Sequence, residues 1–187
     1  YDYYLRALAS FYKFTREAHL EALKLTEIAN GIDPEFAAAY ALGARCYLQR
    51  KSFGWSSDAS QERVEARRLA RRAIELDQDD PSVLAPAGKA LAFVVGEVEE
   101  GAALLSRAIN LDANLLTARL WSGWVNLWLG NEDVAIEQFK IALRLSPLDP
   151  LIFNAQTGLA FAYFFAGRNE DASSWATTAL RQQPKFV

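Results

Sequence analysis

The 187-residue sequence has no methionine, one cysteine and one histidine, and each scarcity closes off some chemistry. A lone Cys46 excludes an internal disulfide and suits a reducing compartment, so a cytoplasmic location is expected. A zinc site or a nucleophile–histidine pair would have to be built around His19 without nearby cysteine support, and His19 reads instead as a surface or helix-packing residue. There is no Gly-rich phosphate loop and no Gly-x-Ser-x-Gly turn. No apolar run approaches a membrane span and no signal peptide opens the chain, so membrane insertion is not expected. The net charge of −3 supplies no basic surface for nucleic acid. Glu97, Glu99 and Glu100 cluster in an expected turn and read as solvated loop, not an oxygen cage for a metal. No catalytic, metal or cofactor residue is expected. An initiator methionine is also missing, Tyr1 already lies in an apolar helix pattern, and no polar capping helix is visible at either end, which points to a fragment of a longer protein.

What is present is a well-patterned helical chain, 51% apolar and 23% charged, the balance of an ordinary foldable protein. In Leu116–Pro147 the apolar Val134, Ala135, Ile136, Phe139, Ala142 and Leu143 recur at steps of three and four, which gathers them on one helical face. Gly130 can close the preceding helix in the left-handed conformation, and Pro147 stops the following one. The stretch therefore predicts a helical hairpin.

The hairpin recurs. Ala73-Ile-Glu-Leu-Asp, Ala108-Ile-Asn-Leu-Asp and Ala142-Leu-Arg-Leu-Ser are three copies of one helix ending, 35 and 34 residues apart. Ala29-Asn-Gly-Ile-Asp-Pro34 and Ala179-Leu-Arg-Gln-Gln-Pro184 extend the series. This period with its Gly, Ala, aromatic and Pro markers resembles the tetratricopeptide repeat. The resemblance implies an all-α fold, a right-handed superhelical solenoid of about five hairpins, with repeats near 1–34, 35–80, 81–114, 115–148 and 149–187. Between Tyr47 and Ala66 about ten residues are inserted, near 48–60, relative to the Asn126–Ala135 interval. Asp58 with Gln61 offers a capping box beyond the insertion, and Thr15 a helix start. Expected helices include Phe36–Leu48, Gln61–Leu76 and Pro81–Val95, the last with Pro86 in about its first turn. Further stops are expected at Gly31 and Pro34, and three extra residues fall in 148–153. Phe53 and Trp55 predict an ordered insertion, because a solvated linker has no need of two large aromatics.

The candidate partner-binding residues are Trp121, Trp124, Trp128, Phe161, Phe164 and Phe165, with Lys89 and Arg45 as cationic candidates. In arrays of the resembled kind, first helices line a concave groove. The aromatics recur there at i, i+3, i+7 and i, i+3, i+4, so they either pack between helices or form a wall for a peptide or neighbouring domain. Arg67, Arg68, Arg71 and Arg72 form a stripe on a second helix, read as solvated and balanced by Glu62, Glu65 and Glu75, or as a dock for an acidic domain. The inward faces near Ala38, Leu42, Ala85 and Leu120 are too apolar for the Lys/Asn/Arg carboxylate clamp that some members of the resembled family carry.

More finely, Arg50-Lys-Ser-Phe-Gly-Trp55, Ser122-Gly-Trp-Val-Asn-Leu-Trp-Leu-Gly130, Ser146-Pro-Leu-Asp-Pro-Leu-Ile-Phe153 and Phe164-Phe-Ala-Gly-Arg168 resemble the C-terminal repeat region of bacterial adenylate/guanylate cyclase-like proteins. The resemblance implies a non-catalytic interaction or regulatory module in signal transduction, with any cyclase activity in another part of the protein. Self-association through exposed end helices, giving a homodimer, and the repeat region of a winged-helix regulator are the alternatives.

Overall fold

The structure is a computed structural model that describes residues 1–149 and 152–182, and every regular element among them is helical. The expected helix start at Pro150 and stop at Pro184 lie outside the described residues, as does Leu151 within the 148–153 segment. The helices are α1 (Asp2–Phe11), α2 (Arg16–Ile32), α3 (Ala37–Ser52), α4 (Ala59–Leu76), α5 (Pro81–Ala90), α6 (Val98–Leu111), α7 (Leu116–Trp128), α8 (Glu132–Leu145), α9 (Ile152–Phe165) and α10 (Asn169–Gln182). They fall into two compact units, Tyr1–Leu111 and Asp112–Val187. The fold is all-α, built of consecutive helical hairpins.

In the first unit the caps follow from side-chain chemistry. Thr15 Oγ1 accepts from the Ala18 amide at 3.2 Å to start α2. Asp58 accepts from the Ser60 and Gln61 amides, each at 3.0 Å, to start α4. Only half of the expected capping box forms, because the Gln61 side chain reaches forward to Glu65. Gly31 does not stop α2: the helix runs through it to Ile32 and closes at Asp33. Nor is the inserted stretch mainly loop. Helix α3 runs on to Ser52 and α4 begins at Ala59, so much of the extra length extends the two helices, leaving Phe53–Asp58 as the turn.

Pro81 occupies the first turn of α5, where a missing amide costs little, and Asp80 caps it by accepting from Ser82 N at 2.7 Å. Pro86 lies beyond that first turn, buried in the helix interior. The expected uninterrupted helix to Val95 changes pitch at Leu91–Val95, a π-helical turn that ends at the left-handed Gly96. The wider turn makes the Leu91 carbonyl accept from both Gly96 and Glu97 amides at 2.9 and 3.0 Å. Small residues set the α5–α6 approach, since a Cβ on Gly101 would lie 2.5 Å from the Gly88 carbonyl oxygen.

The second unit packs around Phe139 of α8, which is fully buried. Its ring lies against Gly123 of α7 on one side and Gly158 of α9 on the other; a Cβ at Gly123 would come within 2.6 Å of it. Full burial of such a ring stabilises by about 1.5–3 kcal/mol. Ala135, Ala142, Ile152, Ala155, Leu159 and Ala162 complete this core.

Candidate protein-docking surface

Gly167, left-handed at φ 74°, turns α9 into α10 and sets the two helices side by side. Short side chains along facing positions, Ala160 on α9 and Ala172, Ala176 and Ala179 on α10, make the floor of a groove of about 670 Å³. Phe161 and Phe164 form one wall and Leu180 part of the other. These walls are open: Phe161 is 48% exposed, Phe164 60% and Leu180 49%. Phe165, next to Phe164 with its ring edge-on at 5.6 Å, is exposed as well.

The tryptophans divide. Trp124 is half-buried, its ring edge-on to Phe139 at 5.5 Å and 6.1 Å from Phe161, and its indole N–H donates to Asn154 Oδ1 at 2.6 Å. That residue belongs to the core between α7, α8 and α9. Trp121 is half-buried and Trp128 exposed at the end of α7. Thus Phe161, Phe164 and Phe165 of the fifth expected repeat face outward, whereas Trp124 is held in packing.

The cationic candidates lie in the first unit. Arg45 stacks over the Phe11 ring at 4.6 Å and donates to the Tyr12 hydroxyl at 3.4 Å. Lys89 is buried, its ammonium 5.5 Å from the Phe93 ring centre, and burial pushes its pKa well down. Lys51 donates to the Phe93 carbonyl in the π-helical turn at 2.5 Å.

The insertion is ordered by a group that sequence reading missed. Arg50 and Glu62 form a buried ion pair at 2.6 Å. Arg50 also donates to the Trp55 carbonyl, and Glu62 accepts from the Ser56 hydroxyl and the Ser57 amide. Burial acts to raise the Glu62 pKa, but the bonds from Arg50, Ser56 and Ser57 outweigh it and hold the carboxyl below its ordinary range. Phe53 stacks on Trp55 at 4.8 Å, and Trp55 packs on His19, which is a fully buried helix-packing residue. Glu62 therefore does not balance the arginine stripe as expected. Arg67 and Arg71 pair with Glu97 at 3.0 and 3.1 Å, and Arg71 with Glu100 at 2.7 Å, so those glutamates join neighbouring hairpins and are not simply a solvated turn. Arg68 and Arg72 pair with Glu65 and Glu75 as expected. Cys46 is buried, and desolvation pushes its thiol up to about 12.

Consecutive hairpins with small residues at each close approach define the tetratricopeptide fold, and known structures agree. PilW, a widely conserved type IV pilus biogenesis factor, superposes with a TM-score of 0.74 at 19% identity, covering 98% of this chain and 78% of that one. TTC0263, a thermophilic TPR protein of Thermus thermophilus, gives 0.71 at 20% identity over 97% and 91%. YrrB, described as a TPR protein with an unusual peptide-binding site, gives 0.63 at 20% identity over 98% and 86%. No protein-family model matches the chain. Among curated proteins, the transcriptional regulator HilA of Salmonella typhimurium is 26% identical over 144 residues, 77% of this chain. The chain spans about a quarter of the length of that relative.

Proposed function

We propose that the chain is a non-catalytic protein-interaction module of a longer regulatory protein, and that its second unit docks a protein or peptide partner. The open aromatic groove between α9 and α10 carries this reading. Phe161, Phe164 and Leu180 leave large apolar surface in water around a concave floor, the kind of surface that anchors partners. The similarity to HilA favours a transcriptional regulator as the whole protein. The cyclase-like context rests on the four sequence segments alone. The comparison to make is between the intact full-length protein, a form lacking residues 1–187, and a form carrying Phe161→Ala with Phe164→Ala. Loss of regulated output in both altered forms, with nucleotide cyclisation absent from the isolated chain, is expected. Unchanged output in both would overturn the reading, as would turnover by the isolated chain.

A further inference from the structure

The outward face of α8 carries four charges that the fold leaves unused. Asp133, Glu137, Lys140 and Arg144 are all exposed, and none of these side chains makes an ion pair or hydrogen bond with a described residue. Lys140 has the Tyr163 ring 5.7 Å from its ammonium. Helix α4 is different, because Arg67 and Arg71 spend their charges on Glu97 and Glu100.

The four charges form one ridge. At about 100° per residue they fall within about 60° of the helix circumference, acidic toward the start of α8 and basic toward its end. The opposite side of α8 is committed to the core through Ala135, Phe139 and Ala142. Beside the ridge runs a groove of about 570 Å³, whose apolar lining is Ile136 and Leu143 of α8 and Trp175 of α10. Gly130 and Gly167 lie 37 residues apart, and in that register Ala176 stands for Phe139 and Trp175 for Gln138. The half-buried indole thus supplies apolar surface where the preceding second helix carries an amide.

The ridge is complementary to its own reverse. Two antiparallel copies of α8, related by a two-fold axis level with the point midway between Gln138 and Phe139, set Asp133 level with Arg144 of the second copy. The same axis sets Glu137 level with Lys140 of the second copy. Symmetry doubles both matches into four ion pairs along about 16 Å of helix. Ile136 then lies within about 3 Å in height of Leu143 of the second copy, so an apolar strip beside Trp175 flanks the charges. A parallel arrangement would put like charges level, which fixes the orientation. No other run in the sequence has acids at i and i+4 followed by bases at i+7 and i+11: Glu17, Glu21 and Lys24 are followed by Ile28, and Gln61 precedes Glu65, Arg68 and Arg72. The chain's one full match for this ridge is therefore the ridge itself.

We infer that the outward face of α8 is a homodimer interface, on which a second copy of the chain docks its own α8 antiparallel beside Trp175. The α9–α10 groove takes no part in it, so either surface can fail alone. Sedimentation equilibrium of the chain at low salt should show a monomer–dimer equilibrium that weakens as salt rises. Lys140→Glu with Arg144→Glu in one variant, and Asp133→Lys with Glu137→Lys in another, should each weaken self-association by about a hundred-fold or more, because four attractive pairs become repulsive. An equimolar mixture of the two variants should recover a one-to-one heterodimer of unaltered strength, since every level pair is then opposite in sign. If a double reversal unfolds the chain, Glu137→Lys mixed with Lys140→Glu gives the same test. A chain that stays monomeric at every concentration would overturn the inference, as would self-association indifferent to the reversals or a mixture of folded variants that fails to associate. So would a dimer that Phe164→Glu removes.

Discussion

Substituting Gly158 by alanine sets two known effects against each other at one site. Alanine favours a helix interior over glycine by about 1 kcal/mol. Here, however, the new methyl would fall inside the contact distance of the Phe139 ring, which is hemmed on its other side by Gly123 and fully buried. Carbon atoms rest about 3.5–4 Å apart, so ring or helix must move by about 1 Å, and overpacking of this kind costs about 1–3 kcal/mol. With both sides of the ring occupied, the upper part of that range applies, and the net loss should be about 1–2 kcal/mol. Phe139→Leu removes the obstructing ring edge, so Gly158→Ala in that background should be neutral or stabilising. A double-mutant cycle by urea unfolding of the four proteins reads the coupling, expected at about 1–2 kcal/mol. Stabilisation of the otherwise unaltered protein by about 1 kcal/mol, with no coupling to Phe139, would mean helix propensity alone acts there and would refute the packing.

Glu62→Gln should cost about 3–5 kcal/mol, because it leaves the Arg50 guanidinium buried without its counter-charge, and amide exchange across 53–58 should accelerate. The native Glu62 pKa is depressed, so its stabilisation is fully present above the ordinary glutamate pKa and is lost as pH falls through the lowered value; acid titration of the melting temperature should show that loss, and Glu62→Gln should lack it. Cys46, with its thiol pushed up to about 12 in a buried site, should resist alkylation at about pH 8 until the chain unfolds. Arg71→Ala, by contrast, removes half-exposed pairs and should change stability by less than about 1 kcal/mol, an effect that shrinks further in high salt.

The hairpins are legible because close helix approach demands small residues, and Ala66, Ala73, Ala108, Ala135 and Ala142 mark it at fixed spacing. What escapes reading depends on contacts distant in sequence. Arg50 and Glu62 carry charges that normally mark surface, and only the folding of the 53–58 turn across them makes a buried pair. The α3 and α4 extensions absorb an insertion that reads as loop, and the π-helical turn at Leu91–Val95 has no local signature. Gly31 misleads because glycine near a helix end need not adopt positive φ, and here it does not. The aromatic surface is half legible. Spacing places Trp124 and Phe161 on comparable faces, but spacing does not say which ring is covered; α9 packs against Trp124, whereas Phe161, itself on α9, is half open. The change from Phe139 to Ala176, which hollows the groove, is readable from the 37-residue register between Gly130 and Gly167.

The claim that the second unit docks a partner through this groove is tested most directly by photo-crosslinking in the full-length protein. A benzophenone side chain would replace Phe164 on the groove wall in one sample and the exposed Lys24 of α2 in another. The account predicts a discrete crosslinked partner from Phe164, absent from Lys24 and lost when Leu180→Lys is added on the opposite wall. Equal crosslinking from both positions, or a product from the Phe164 site indifferent to Leu180→Lys, would contradict it.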